Sequence, residues 1–451
     1  MIFNGVYLIM LMLSIPAISG AAYFFRHFRG ISIVMSVGCL ITTSVVFMLP
    51  SGIFSYFYLN GINRYLLICV SAIYAFSVIF ATGYHRKLGE SRHLRLHMSM
   101  MNLFAFTMLF SLVINNLGLM WIGIEGTTAS SAILIIIEGE PADMEAAWRY
   151  IIIVSAGLSI ALISIVLIYR VFGTLEITTL MQSHSAPSQI LLLAAVFGII
   201  GFGTKGGIFP MHSWLPDAHG RAPSEISAMF SAVLLPIAIY AMYIIIRTVN
   251  ITLINEAAIF FAMITILFVA LVMASQRDIK RMYAYSTMEN MALILMGFVL
   301  GNIALIGSIL IIMTHAFAKA GAFYSSGNVI ESYRTRNMQN IQNIWGKQKF
   351  TAYTLILSTL AVSGAPPFGT FLGEFFILSS LYSHGLAVVM VILAILLAII
   401  FLSVNYKVLR MVFSLGTHGT PERISMQQIS ITGIAVIVSG LFAFMFMGGF
   451  F

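Results

Sequence analysis

The chain has 451 residues, of which 60% are hydrophobic and only 8% are charged, and its mean hydropathy is +1.00. This composition excludes a soluble globular protein and indicates a protein that crosses a membrane several times. The formal net charge of +8 comes from 23 Lys and Arg against 15 Asp and Glu, and we attribute it to membrane orientation rather than to nucleic-acid binding.

Apolar runs long enough to span a bilayer follow one another along the whole chain. They lie near residues 2–22, 31–50, 65–84, 100–117, 118–138, 149–169, 189–216, 224–246, 254–275, 284–300, 302–328, 352–382, 386–405 and 427–449. Such long, continuously apolar runs predict helices rather than barrel strands, which alternate in character. No Lys or Arg precedes the first run, so it predicts a membrane helix rather than a signal peptide. The predicted fold is all-α, with about fourteen transmembrane helices.

The connecting loops differ strongly in positive charge. Loops that join odd-numbered to even-numbered spans hold eighteen Lys and Arg residues: Arg26, Arg29, Arg86, Lys87, Arg92, Arg95, Arg149, Arg221, Arg277, Lys280, Arg281, Arg334, Arg336, Lys347, Lys349, Lys407, Arg410 and Arg423. Loops that join even-numbered to odd-numbered spans hold Arg64, Arg170 and Arg247. Because Lys and Arg accumulate in cytoplasmic loops, we predict a multi-pass protein of the cell (inner) membrane with both termini outside.

Among the ionisable residues inside the predicted spans, five stand out as candidates for a function. They are Glu125, Lys205, His315, Lys319 and Glu374. Each charge costs at least about 2.5–3.5 kcal/mol at the centre of a membrane helix, so such residues are functional candidates, and chains of acids, His and Lys are typical of proton relays. The alternative is that they form buried ion pairs or cap broken helices.

Two of the predicted spans are too long and contain helix breakers. Span 189–216 carries Gly206, Gly207 and Pro210 at its centre. Span 352–382 carries four breakers: Gly364, Pro366, Pro367 and Gly369. Paired interruptions of this kind predict discontinuous helices 7 and 12 in related halves of a transporter, whereas simple proline kinks are the alternative.

Short sequence patterns that are typical of cofactor sites occur in this chain, but their sequence context does not support a cofactor site. Gly201, Gly203 and Gly206 match GxGxxG, but no strand or βαβ unit surrounds them. The spacing of His212 and His219 is not typical of zinc ligands, and the two cysteines form no CxxC. The polar segments are too short for a core of their own. We therefore expect no cofactor or metal in this chain and assign any redox chemistry to partner subunits.

Four blocks of the sequence carry a family resemblance. They are "KGGIFPMHSWLPDAHGRAPSEISA", "SQRDIKRMYAYSTMENMALIL", "THAFAKAGAFYSSGN" and "GAPPFGTFLGEFFIL". In this order they resemble the antiporter-like membrane subunits of respiratory NADH:quinone oxidoreductase, Mrp-type antiporters and membrane-bound [NiFe] hydrogenases. The pair Glu289-Asn290 is more similar to the branch of hydrogenase-4 component F and the formate hydrogenlyase membrane subunit.

The resemblance implies roles for the charged residues. Glu125 and Lys205 match the family's acid and lysine whose changing separation is thought to gate proton transfer. His315 and Lys319 match its central relay, and Glu374 its terminal acid. The resemblance also implies two inverted five-helix repeats. The implied division is 1–97 for helices 1–3, 98–247 and 248–410 for two half channels, and 411–451 for helix 14.

One position departs from the family pattern. Where many relatives place a bridging lysine on the eighth span, this chain has Pro236. Glu225, His219 or water are candidates to replace that lysine, and we include His212 in the expected proton path. Alternatively, Glu225 is an interfacial acid beside Arg221.

The expected function is proton translocation by an antiporter-like subunit of a redox-driven complex of the hydrogenase or NADH:quinone oxidoreductase type. Expected partners are other membrane subunits, the lipid bilayer and a peripheral redox arm that holds nickel–iron and iron–sulfur centres or flavin. The transported ion is H+, with Na+ as an alternative. The alternatives are an Mrp-type Na+/H+ antiporter subunit and a scaffold that does not pump.

Overall fold

The computed structural model describes residues 2–25, 27–85, 92–136, 139–183, 186–416, 419–422 and 424–447, without the side chains of 2–4, 22 and 443–447. Four cations of the loop comparison, Arg26, Arg86, Lys87 and Arg423, lie outside the described residues.

Helices dominate the described chain. The first eleven are α1 (Ile2–Ser19), α2 (Phe28–Phe47), α3 (Gly61–Tyr84), α4 (Arg92–Val113), α5 (Leu117–Ile135), α6 (Pro141–Phe172), α7 (Ile177–Gln182), α8 (Gln189–Gly206), α9 (Trp214–Arg221), α10 (Ser224–Met229) and α11 (Leu235–Val249). The others are α12 (Thr252–Ser275), α13 (Ile279–Leu300), α14 (Asn302–Tyr333), α15 (Ile344–Lys347), α16 (Lys349–Val362), α17 (Gly369–Ser383), α18 (Ala387–Phe413) and α19 (Met426–Met447). A short antiparallel hairpin joins β1 (Gly52–Phe54) to β2 (Phe57–Leu59).

Ten helices of the described residues are long and apolar enough to cross a membrane, and three shorter helical stretches are also apolar. The α13 helix is long enough, but it carries Lys280, Arg281 and Glu289. The all-α membrane fold is thus confirmed, whereas the count of fourteen spans and the two inverted repeats remain predictions.

Both predicted interruptions are present. The α8 helix ends at Gly206, and Gly207 follows with a φ of +75°. The α16 helix ends at Val362, and Gly364 follows with a φ of +76°. The chain then passes Pro210 in the first break and Pro366–Pro367 in the second before α9 and α17 begin. Glycine suits these turns because residues with a side chain rarely adopt a positive φ.

The chain forms two compact units. The first unit comprises Met1–Val78, Leu88–Trp214 and Val233–Phe260. Within it, α6 and α8 pack against each other through small residues. A Cβ on Gly157 would meet Thr204, and a Cβ on Gly201 would lie 2.7 Å from the Cα of Ala161. Small residues allow helix backbones to approach closely, which is a main source of packing energy within a membrane.

We expect Gly201→Ala to destabilise the first unit by about 1–3 kcal/mol, because the added methyl group meets the backbone of α6 rather than a movable side chain. Gly38→Ala in α2 is the matched control, since a Cβ there has no neighbour within 4 Å. Thermal unfolding of the two purified variants measures the difference. Equal unfolding temperatures would show that the contact between α6 and α8 tolerates the methyl group.

The second unit comprises Ile79–Lys87, Leu215–Ala232 and Phe261–Phe451. Its central element is α14, a helix of 32 residues that is buried over most of its length. The α13, α16, α17 and α19 helices surround it. The α14 and α17 backbones approach closely, since a Cβ on Gly307 would lie 2.8 Å from the carbonyl oxygen of Gly373. Small residues thus bring the second helix break next to α14.

Candidate functional site

Lys205 is fully buried in the first unit, in the last turn of α8 beside the helix break. Its Nζ donates hydrogen bonds to Thr128 Oγ1 at 3.0 Å and to Tyr150 OH at 2.7 Å. The Nζ also lies 4.9 Å from the centre of the Tyr150 ring. Two hydroxyl oxygens and an aromatic face therefore stabilise this ammonium group.

Glu125 stands on α5, three residues before Thr128 and on the same face of the helix. Ser155 Oγ donates a hydrogen bond of 2.6 Å to Glu125 Oε1, while Oε2 is buried without a hydrogen-bond partner among the described residues. Glu125 and Lys205 interact electrostatically, but the ion pairs among the described residues, all within 4.0 Å, do not include them. Glu125 and Lys205 are thus not in direct contact, and each is bonded to a side chain of α6.

The aromatic side chain of Trp214, which follows the break after α8, is hydrogen-bonded to the end of α8. Trp214 Nε1 donates a 2.8 Å hydrogen bond to the carbonyl oxygen of Thr204, directly before Lys205. The Trp214 ring also packs against Tyr150, with ring centres 4.9 Å apart. His212 lies in the turn before α9, and its ring stacks on Phe209. The Thr204 carbonyl, which also accepts from the Gly207 amide at 3.5 Å, is thereby satisfied within the unit, as a buried helix end requires.

Lys319 is the buried lysine of the second unit. Its Nζ donates a 2.7 Å hydrogen bond to the carbonyl oxygen of Tyr283 on α13, and it lies 5.6 Å from the centre of the Tyr283 ring. Tyr283 OH is 2.7 Å from Thr359 Oγ1 on α16. Lys319 is thus held by one carbonyl oxygen and an aromatic face, whereas Lys205 is held by two hydroxyl oxygens and an aromatic face.

Two acids of the second unit, one on α13 and one on α17, interact electrostatically with each other. Glu289 on α13 is buried and is close enough to interact with Lys319 and Glu374. The Glu374 carboxyl group of α17 fills the space beside Gly364, where an added Cβ would lie 2.6 Å from Glu374 Cδ. Asn290 Nδ2 donates to the carbonyl oxygen of Val362 at 3.4 Å. In the sequence, Glu289-Asn290 serves only as a marker of the branch, whereas the structure brings both residues into the candidate site.

The helix is distorted just before Pro236. The departure from the family pattern therefore affects the backbone as well as the missing lysine side chain. The chain forms a π turn over Phe230–Leu234, and α11 begins directly after it. Proline has no amide hydrogen to donate to the preceding turn, and its ring clashes with that turn. In this turn the carbonyl oxygen of Ser231 lies 3.2 Å from His315 Nε2, while His315 Nδ1 is buried without a hydrogen-bond partner among the described residues. A widened turn thus presents a carbonyl oxygen to the predicted relay histidine.

His219 is fully buried on α9, between two aromatic rings of the second unit. Its ring stacks on Phe323 with centres 5.4 Å apart and meets the Phe230 ring edge-on at 5.7 Å. Neither ring nitrogen has a hydrogen-bond partner in the part of the chain that the structure describes. His219 interacts electrostatically with Lys319 and Lys280, which places it among the cations of this unit.

Glu225 is fully buried in the first turn of α10 and lies within hydrogen-bond distance of a histidine that the sequence did not single out. Glu225 Oε1 lies 2.7 Å from His85 Nε2, and both side chains are buried. His85 directly follows α3, in a polar segment that reads as an ordinary loop. Lys280 is also buried rather than a solvated loop cation, and its Nζ donates to the carbonyl oxygen of Ala222 at 2.8 Å. No signal in the sequence near His85 reveals its distant acidic partner.

Comparison with known proteins identifies the family. Residues 114–400 match the family described as NADH:quinone oxidoreductase/Mrp antiporter, TM. A hydrogenase-4 component F homolog from Methylacidiphilum infernorum (isolate V4) is 31% identical over 351 residues, which cover 73% of this chain and 74% of that protein. The sequence resemblance is therefore confirmed.

Solved structures share the fold. A chain of the membrane-bound sulfane sulfur reductase, an archaeal respiratory membrane complex, superposes with a TM-score of 0.88 at 19% identity, covering 98% of this chain and 95% of that one. A chain of the Mrp complex from Dietzia sp. DQ12-45-1b gives a TM-score of 0.81 at 18% identity, covering 99% and 92%. At these identities the likeness concerns the fold alone.

Proposed function

The chain belongs to the NADH:quinone oxidoreductase/Mrp antiporter transmembrane family, and we propose that it translocates protons as the antiporter-like membrane subunit of a redox-driven respiratory complex. The complex is of the hydrogenase or NADH:quinone oxidoreductase type, consistent with the similarity to a hydrogenase-4 component F homolog. The chemistry of electron transfer belongs to partner subunits with nickel–iron and iron–sulfur centres or flavin.

The observation that carries this proposal is the environment of Lys205. A fully buried lysine in a membrane helix is costly unless its charge is compensated. Here its ammonium group donates to the hydroxyl groups of Thr128 and Tyr150, whereas the carboxyl group of Glu125 is bonded to Ser155. Lys205 can therefore release a proton without first breaking a direct ion pair, and the distance to Glu125 sets how strongly its charged form is favoured.

The second unit supplies the remaining groups of the proposed relay. Lys319 on α14 interacts electrostatically with Glu289 on α13. The carboxyl group of Glu374 lies beside Gly364, at the break before α17. His315 on α14 can accept or donate a proton through its buried Nδ1. The protonation of each of these groups depends on the charge of its neighbours. A change in position of one group, caused by a partner subunit, therefore moves a proton to the next.

Glu225, His85 and His219 form the proposed proton uptake region of the second unit, and His212 belongs to the path in the first. We place this uptake region on the cytoplasmic side because its connecting loops join odd-numbered to even-numbered spans. The protein then lies in the cell (inner) membrane with both termini outside.

The test uses the intact complex, purified in mild detergent, identified by mass spectrometry of its subunits and reconstituted into sealed vesicles. The electron donor follows from the subunits found. We expect redox turnover to move protons across the membrane, as followed with a pH-sensitive dye, and to do so equally in Na+ and K+ buffers. A proton movement that needs Na+ but no electron donor would support an Mrp-type antiporter instead. Full redox turnover without proton movement would identify a scaffold and contradict the proposal.

A further inference from the structure

A cavity of about 430 Å³ lies in the second unit, and the residues that line it do not belong to the proposed proton path. It is formed at the C-terminal end of α12, by the last turns of α18 and by the short helical turn Met338–Asn340. Three cations line it, namely Arg277, Lys407 and Arg410. Among the described residues that line the cavity there is no Asp or Glu.

Among the described residues, the three cations of this cavity form no ion pair with an acid. Lys407 Nζ donates to the carbonyl oxygens of Met273 and, at 2.8 Å, of Gln276, at the end of α12. Arg277 and Arg410 are exposed, and neither takes part in the ion pairs found among the described residues. The nearby Asp278 is occupied as the N-cap of α13, where it accepts hydrogen bonds from the amides of Lys280 and Arg281. The positive charge of the cavity is therefore available to an anion.

Polar groups that suit a phosphate accompany the cations. The lining includes the hydroxyl groups of Ser275, Ser403 and Tyr406 and the amide group of Gln339. Arginine binds phosphate oxygens with paired N–H donors, and hydroxyl groups add further hydrogen bonds. The chemistry of the site is thus that of a phosphate ester with net negative charge.

The surroundings of the cavity are those of a membrane surface. Tyr406 is 68% exposed, as is typical of tyrosine at the level of lipid headgroups. One turn further from each helix end, Leu271 of α12 is 69% exposed and Leu402 of α18 is 66% exposed. An anion bound by the arginines would therefore have apolar helix surface directly beside it, where acyl chains can lie.

We propose that this cavity binds the headgroup of an anionic membrane phospholipid. The phosphodiester group contacts Arg277 and Arg410, and the acyl chains run along the exposed leucines of α12 and α18. By the loop charges, the site lies in the cytoplasmic leaflet, where basic pockets between transmembrane helices bind anionic lipids. The proposal concerns binding, and it stands apart from the proposed proton translocation.

The test measures lipid binding to the full-length protein in mild detergent after its own lipids have been exchanged away. Phosphatidylglycerol or phosphatidylcholine with the same acyl chains is added, and native mass spectrometry counts the bound lipid. We expect phosphatidylglycerol to bind at least about tenfold more tightly than phosphatidylcholine, and we expect Arg277→Gln/Arg410→Gln to remove this preference. Arg170→Gln is the matched control, because Arg170 is also an exposed arginine next to a tyrosine in the last turn of a helix.

Three results would overturn the proposal. The first is equal binding of the two lipids by the wild-type protein, and the second is an unchanged preference in the double variant. The third is displacement of phosphatidylglycerol by inorganic phosphate at the same concentration, which would indicate a site for a free anion. Loss of a partner subunit from the purified complex of the double variant, with lipid binding unchanged, would show instead that the arginines contact a protein.

Discussion

Replacing Lys205 by alanine is expected to reduce redox-driven proton translocation by about two orders of magnitude or more, because a positioned proton-transfer group typically contributes 10²–10⁴-fold. Lys205 is the fully buried cation at the break after α8, bonded to Thr128 and Tyr150. Assembly and redox turnover should persist, since the redox centres are assigned to partner subunits. Dye-detected proton uptake in vesicles, divided by the rate of electron transfer, gives the quantity to compare.

Two further variants separate charge from packing. Lys205→Met keeps an unbranched side chain of similar length but removes the charge, so we expect the same loss as with alanine. Lys349→Ala removes an exposed lysine at the start of α16 and should leave the ratio of protons to electrons unchanged. A normal ratio in Lys205→Met would contradict the assignment of Lys205 to the proton path.

Replacing Gly364 by alanine is expected to impair proton translocation by about tenfold or more while the protein stays folded. The new Cβ would occupy the space of the Glu374 carboxyl group, and a side-chain carboxyl group can move aside more easily than a backbone. Misplacement of a reacting group by about 1 Å can cost up to about 100-fold in rate. The cost of placing alanine at a φ of +76° adds about 1–2 kcal/mol to the loss of stability.

Gly385→Ala is the matched control for this variant. Gly385 has the same φ of +76°, but a Cβ there meets nothing within 4 Å. The two variants should lose similar stability in thermal unfolding, whereas only Gly364→Ala should lose proton translocation in vesicles. Equal translocation by both variants would show that the position of the Glu374 carboxyl group is unimportant for transport.

The membrane class and the two helix breaks follow from local properties of the sequence. Apolar runs of spanning length are costly to expose to water, and glycine and proline interrupt helices wherever they occur. The breaks near Gly207 and Gly364 therefore occur at the positions predicted from the sequence. The same reasoning singled out Lys205 and Lys319, because a charge within an apolar run is costly in any fold.

The partners of those charges could not be predicted in the same way. Tyr150 is one of 18 tyrosines, and only the packing of α6 against α8 brings it to Lys205. His85 and Glu225 are separated by 140 positions, and no local pattern links them. The π turn before α11 follows from Pro236, but its contact with His315 depends on how α14 packs.

The amino-acid sequence alone thus determines that this chain is an all-α membrane protein with interrupted helices and a few buried charges, since these features depend on composition and on neighbours along the chain. The folded arrangement determines which oxygen atoms hold Lys205 and Lys319, which histidine pairs with Glu225 and which glycine makes room for Glu374. Hydrogen bonds and close contacts act over about 3–4 Å in space, so they depend on helix packing that brings together residues distant in the sequence.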